Sequence, residues 1–94
     1  MRLRVPADIV ALVSHMPPPL KQKIRSGLDC LIKNPSEGKP LRAELQGLWS
    51  LRIGRFRIVY RMVERVLEVV AIGPRENIYQ ETARRLALLK KATP

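Results

Sequence analysis

Between Trp49 and Ile72 polar and apolar residues alternate in three successive runs, and the rest of the chain is best understood around them. Trp49–Ile53 reads WSLRI, Phe56–Val63 reads FRIVYRMV and Val66–Ile72 reads VLEVVAI, with Gly54-Arg55 and Glu64-Arg65 between them. A period of two is that of a half-buried strand. Glycine first in a two-residue loop fits a type II′ hairpin, whereas Glu64-Arg65 is a weaker turn because neither residue favours a positive φ. Pairing across the two turns sets Trp49 opposite Tyr60, Leu51 opposite Ile58, Arg52 opposite Arg57 and Ile53 opposite Phe56. Across the second turn it sets Arg61 opposite Glu68, Tyr60 opposite Val69, Ile58 opposite Ala71 and Arg57 opposite Ile72. In this register one face collects Trp49, Leu51, Ile53, Phe56, Ile58, Tyr60, Met62, Leu67, Val69 and Ala71, all apolar or aromatic. The other face collects Ser50, Arg52, Arg57, Val59, Arg61, Glu68, Val70 and Ile72. A slip by one residue would mix the two sets, so the pattern itself favours the register.

The apolar face needs a cover, and the N-terminal half supplies one. Met1–Val5 alternates as a short strand with Leu3 and Val5 on one side. Pro6 suits the start of a helix and Asp8 complements its dipole; Ile9, Leu12, Val13 and Met16 form its apolar stripe. Pro17, Pro18 and Pro19 end it. A second helix from about Pro19 to Lys33 carries Leu20, Ile24, Leu28, Leu31 and Ile32, and stops at Asn34-Pro35. Residues 35–46 read as an irregular connection. After Ile72-Gly73 the chain turns through Pro74-Arg75 into a C-terminal helix of about residues 77–91. Its predicted features are an Asn77 N-cap with Gln80 in a capping box, an Ile78, Thr82, Leu86 and Leu89 stripe, and a Glu81–Arg85 pair. The expectation is one α+β domain over residues 1–94, in the order β-α-α-β-β-β-α. An N-terminal strand and helical hairpin pack on one face of an antiparallel sheet.

Charge changes the picture. Eighteen Lys and Arg against eight Asp and Glu give a net charge of +10 in 94 residues. The excess is spread over both halves rather than confined to a tail, so it belongs to the folded surface and favours nucleic acid or an acidic protein as partner. Apolar runs are too short to span a bilayer, and no charged leader precedes an apolar stretch, so neither membrane insertion nor export is expected. The single Cys30 rules out an internal disulfide or a zinc cluster of several thiolates, and is expected to be a buried, inert thiol. His15, in the last turn of the first helix, is expected to be exposed and without a chemical role.

The candidate chemistry lies at one end of the sheet. Arg52 and Arg57 face each other with no acid beside them, an unfavourable pair unless something anionic lies between. Arg75 emerges at the same end, and the C-terminal helix points its N-terminus, with Tyr79 in the first turn, at the cluster. Arginines bind phosphate bidentately and keep their charge at every relevant pH. Trp49, Phe56 and Tyr60 are read as core and Arg55 as an exposed turn residue, while Arg61 has an ion-pair partner in Glu68. Tyr79 fits either a proton-transfer role or a packed helix aromatic. The sequence holds no His pair, carboxylate pair or metal-ligand spacing, so no metal and no cofactor are expected.

The stretches KPLRAELQGLWSLRIGRFRIVYRM (39–62) and VVAIGPRENIY (69–79) resemble the RelE/ParE superfamily of toxins from type II toxin–antitoxin systems. The resemblance implies the RelE-like fold and a cytoplasmic toxin held by a cognate antitoxin with an acidic, partly disordered segment. RelE-like members are ribosome-dependent mRNA endonucleases that use 2′-hydroxyl attack, so ribosome and mRNA are the implied partners. ParE-like members act on DNA gyrase, and an inactive antitoxin-binding relative is a third option. The implied catalytic residues are Arg52, Arg57, Arg75 and Tyr79; Lys39, Arg42, Ser50, Arg55 and Arg61 are implied to contact RNA or the ribosome. Ser50 stands where RelE has a strand lysine, and Pro74 where many relatives have histidine.

Overall fold

A computed structural model describes residues 1–92, with side chains described through Leu88, so Leu89 of the expected C-terminal stripe lies outside the described side chains. The strands are β1 (Arg2–Arg4), β2 (Lys39–Pro40), β3 (Trp49–Ile53), β4 (Phe56–Val63) and β5 (Val66–Pro74). The helices are α1 (Ala7–Ser14), α2 (Pro18–Lys33) and α3 (Ile78–Ala92). They form the α+β, RelE-like architecture expected, built on one sheet ordered β1-β5-β4-β3-β2. Two details differ from the expectation. β1 lies parallel to β5, which makes the sheet mixed. The connection from residue 35 to 46 is also more ordered than its sequence suggests, with single 3-10 turns at Pro35–Glu37 and Ala43–Leu45 flanking the edge strand β2.

The β3–β4 register is the one the sequence pattern gives, from Trp49↔Tyr60 to Ile53↔Phe56. Gly54 takes φ 59° at the first turn position, as a type II′ hairpin requires. Glu64 adopts φ 57° at the equivalent place in the second turn, so the hairpin imposes there a conformation its sequence does not favour. Next to that turn the β4–β5 pairing runs as expected, with Arg61↔Glu68 and Tyr60↔Val69. It then shifts by one at a bulge, so that Val59 faces Ala71, Ile58 faces Ile72 and Arg57 faces Gly73. Val70 is the extra residue. The expected pairs Ile58–Ala71 and Arg57–Ile72 are thereby corrected, and Ala71 and Ile72 exchange faces.

The bulge divides β5 between two cores. On the α1–α2 side Leu67, Val69 and Ile72 join Ile58, Tyr60, Ile9, Ile24 and Leu31, with Trp49, Leu51, Ile53 and Phe56 packed against them. On the other side Val70 and Ala71 both point at α3 and pack with Val59, Leu48 and Ile78. The face on which alternation mixes Arg52, Arg57, Arg61 and Glu68 with Val59 and Val70 is therefore half covered by a helix, and Val70 and Ala71 share it because the bulge lets two consecutive residues point the same way. In α1, Leu12 belongs to the expected stripe but is 47% exposed, so Ile9, Val13 and Met16 carry the packing. Cys30 is exposed rather than buried: Ile24, Gly27 and Leu31 turn the buried face of α2 away from it.

Arg85 locks α3 to this arrangement. Its Nε donates to the Val70 carbonyl at 2.8 Å, and two further N–H groups reach the Asp8 carboxylate at 2.5 and 3.2 Å. The expected Glu81–Arg85 pair is replaced by Glu81–Arg84 at 2.9 Å, which frees Arg85 for the longer reach. No hydrogen bond from the Asn77 or Gln80 side chain is found among the described residues, so the expected capping box does not form.

Replacing Arg85 with Met removes the donor to a carbonyl that the bulge leaves outside the ladder. An unsatisfied acceptor of this kind costs about 1–3 kcal/mol, and a Tm fall of roughly 4–8 °C per kcal/mol is expected for a domain of this size. The Arg85 hydrogen bond holds the Asp8 carboxyl below its ordinary value of 3.8. A depressed carboxylate contributes stability above its unfolded pKa and loses it as the pH falls through the folded value. The Tm gap between wild type and Arg85→Met should therefore narrow below about pH 4. Thermal melts from pH 7 to pH 2 check both effects.

Candidate functional site

The site forms where β3, β4 and the first turn of α3 meet. Arg57 stands on β4 directly opposite Arg52 on one side and Gly73 on the other. Because Gly73 has no side chain, Ile78 settles onto it: a Cβ added there would lie 3.3 Å from the Ile78 methyl. That close approach brings the next residue, Tyr79, beside Arg57, whose guanidinium carbon lies 6.0 Å from the phenol ring centroid. This is the range of a cation–π contact. From β3, the Ser50 hydroxyl accepts a long hydrogen bond from Arg57 Nη1 at 3.4 Å.

Arg57 is poorly satisfied. Its Nε is fully buried and has no hydrogen-bond partner among the described residues. Among the described residues the ion pairs are Arg4–Glu68, Arg61–Glu68, Arg84–Glu81 and Arg85–Asp8, and none of them takes Arg52, Arg55, Arg57 or Arg75. Arg52 folds away from its like-charged neighbour and donates through Nε to the Gly54 carbonyl at 3.3 Å. The positive end of α3 adds to the same potential. The Arg57 guanidinium is thus half out of water, with a buried donor unmatched and no ion pair among the described residues, and a charged donor left so carries a desolvation cost that an acceptor would offset.

Each residue the sequence singled out now has a place. Arg57, Ser50 and Tyr79 come together, and Arg52 stands opposite Arg57 on β3 with its side chain turned to the Gly54 carbonyl. Arg75 is exposed just after β5, and its backbone N–H bonds to the Arg55 carbonyl at 2.9 Å, which ties the end of β5 to the Gly54 turn. Arg55 is exposed in that turn. Lys39 lies on β2 directly opposite Ser50 and so shares its face. Arg42 is exposed just beyond β2. Arg61 shares the face of Arg57 but stands four residues further along β4, about 13 Å away, and is held by Glu68 at 2.6 Å. The structure does not bring Arg61 to the cluster. His15 is exposed at the end of α1, as expected, and its Nδ1 lies 2.7 Å from the Ala11 carbonyl. Tyr60, read from the sequence as core, is core and also carries polar work. Its hydroxyl bonds to Pro35 and Gly38, and no local pattern marks that long-range contact.

A mixed five-stranded sheet with a helical hairpin on one face, and an arginine cluster open on the other, defines a small basic α+β protein of RelE-like fold. The comparisons agree. Residues 4–79 match the model of the ParE toxin of the type II toxin–antitoxin system parDE, and the chain belongs to that family. It is therefore a toxin of a type II toxin–antitoxin system. Among solved structures, the RelBE2 toxin–antitoxin complex of Mycobacterium tuberculosis is 26% identical with a TM-score of 0.69; the match covers 79% of this chain and 96% of that one. A variant of E. coli RelE in the free state is 20% identical with a TM-score of 0.71, covering 89% and 95%. The archaeal RelE–RelB complex of Pyrococcus horikoshii is 20% identical with a TM-score of 0.65, covering 79% and 93%. No curated protein matches the chain in sequence.

The unmatched Nε makes a testable statement about stability. Met has nearly the length of Arg and needs no acceptor. Arg57→Met is therefore expected to raise the Tm of the free protein by several degrees, since removing a buried unpaired donor beside a like charge relieves about 1–2 kcal/mol. A lower Tm in differential scanning calorimetry would show that the guanidinium is already satisfied.

Proposed function

We propose that this toxin is a ribosome-dependent mRNA endonuclease that needs no metal, with Arg52, Arg57, Arg75 and Tyr79 as its catalytic set. The observation that carries the reading is the half-buried Arg57 guanidinium, set between Ser50 and Tyr79 with its Nε unmatched. A phosphodiester oxygen entering beside Arg57 would supply the missing acceptor.

The chemistry follows from the groups present. The ribose 2′-oxygen attacks the adjacent phosphorus, the bond to the 5′-oxygen breaks, and a 2′,3′-cyclic phosphate and a 5′-hydroxyl result. Negative charge grows on the non-bridging oxygens, where Arg57 and Arg52 stabilise it. Arg75, exposed at the same end, neutralises the neighbouring backbone. Tyr79, with its ring against Arg57, carries a hydroxyl placed to move a proton between the 2′-oxygen and the 5′-oxygen. These groups are few, and holding the message on the ribosome would supply much of the missing rate through orientation. Lys39, Arg42 and Arg55 ring the cluster and fit contacts to RNA backbone or ribosome, with Ser50 supporting Arg57 from within. As a toxin of a two-component system the chain is paired with an antitoxin. An acidic segment that orders as it binds is the complement its +10 charge calls for.

A second reading has its own support: the matching family model is that of ParE, whose members, in the resemblance drawn from the sequence, act on DNA gyrase. One purified protein separates the two. Primer extension on ribosomes carrying a defined mRNA is expected to show cuts that are absent on free RNA. Arg57→Met should abolish them, and Tyr79→Phe should slow them at least about 100-fold, as loss of a proton-transfer group does. Loss of gyrase supercoiling with intact message, and full toxicity of Tyr79→Phe, would establish the gyrase reading instead.

A further inference from the structure

Strand β2 has two residues and one neighbour. At the edge of the sheet it pairs only with β3, Lys39 with Ser50 and Pro40 with Trp49, and a single bond from Leu41 N–H to the Leu48 carbonyl at 2.8 Å extends the contact. Proline removes one ladder donor. So short a strand does not hold its own place, yet it is the element that carries Lys39 to the site.

What holds it comes from the opposite face of the sheet. Tyr60 is wholly buried on the α1–α2 side, stacked on Trp49 with ring centroids 6.4 Å apart. Its hydroxyl donates to the Pro35 carbonyl at 2.6 Å and accepts from the Gly38 N–H at 3.1 Å. The contact leaves no room: a Cβ on Gly38 would stand 2.5 Å from that hydroxyl and 2.9 Å from the Ser50 carbonyl oxygen. Gly38 is the residue before Lys39. Burial pushes the Tyr60 hydroxyl up from its ordinary value of 10.0, so it remains a donor throughout the neutral range.

Directly opposed residues share a face, so Lys39 stands on the side where the Ser50 hydroxyl meets Arg57. Ser50 is 2% exposed and too short to reach past Arg57. On that flank the long cationic side chain is Lys39. We propose that Lys39 binds the RNA phosphate next to the one held by Arg57, and that Tyr60 is the positioning residue that fixes Lys39 there from across the sheet. This rests on reading the arginine cluster as an RNA site.

The test uses binding rather than cleavage. A fluorescein-labelled 2′-O-methyl RNA lacks the nucleophile, so its anisotropy reports affinity alone. For a single strand, log affinity falls against log salt with a slope of about 0.7 per phosphate neutralised. Lys39→Ala is expected to lower that slope by about 0.7, one phosphate contact. Tyr60→Phe keeps the ring and removes only the pin, and Gly38→Ala pushes the same loop away from the other side. Each should reproduce the Lys39→Ala slope in folded protein, and Lys39→Ala combined with Tyr60→Phe should lose nothing more. A general loss of stability leaves the slope of the folded fraction unchanged, which separates positioning from folding. A wild-type slope in Lys39→Ala overturns the inference alone, even if both loop variants fail to fold. So does a wild-type slope in folded Tyr60→Phe, or losses that add. A wild-type protein with no salt-dependent RNA binding overturns the RNA reading together with this one.

Discussion

The hydrogen bond from Arg85 to the carbonyl of Val70 is small, but the layout of the molecule depends on it. Inserting Val70 as an extra residue gives β5 two consecutive side chains on the α3 face and returns Ile72 to the α1–α2 face. One strand thereby feeds two cores. A bulge leaves backbone groups outside the ladder, and an uncapped carbonyl in a half-buried place is costly. Arg85 caps it and at the same time reaches Asp8 on α1, so bulge, α1 and α3 are tied together by one side chain. With α3 fixed along β5, Ile78 rests on Gly73 and Tyr79 arrives beside Arg57. Arg85 touches none of the site residues, yet the geometry of the site follows from it.

The site reverses that economy. Away from the site four arginines have acidic partners: Glu68 serves both Arg4 and Arg61, Glu81 holds Arg84 and Asp8 holds Arg85. At the open end of the sheet, Arg52, Arg57 and Arg75 take part in none of the ion pairs found among the described residues. Local breaches of the rules that stabilise a fold tend to mark function, because stability is given up where a ligand will restore it. Arg57 is the clearest breach, with a donor out of water and unpaired.

How much of this was legible in the sequence depends on what carries the information. The β3–β4 register was legible because Gly54 fixes the turn and alternation fixes the faces, and with it the opposition of Arg52 and Arg57. The far half of the β4–β5 register was not. Val69, Val70, Ala71 and Ile72 are all apolar, so either register buries them, and the residue that decides, Arg85, lies 15 positions away. Strand β2 was hidden for a related reason: a Lys-Pro pair has no strand signature, and Tyr60, which pins the loop before it, is 22 residues from Gly38. Cys30 and Leu12 were misplaced because a helical stripe is wider on paper than the surface that covers it. Tyr79 was placed at the right end of the sheet, but its ring against Arg57 follows from Gly73, whose role at β5 only the shifted register reveals.

An RNA phosphate seated on the unpaired Arg57 guanidinium would be read by the Arg57 Nε–H resonance. Titrating isotope-labelled protein with a non-cleavable 2′-O-methyl RNA should move that resonance downfield in a saturable way, as the buried donor gains its acceptor. The shift should be lost when salt releases the RNA. Saturable RNA binding that leaves the Arg57 Nε–H unmoved would place the nucleic acid elsewhere on the surface and contradict the account.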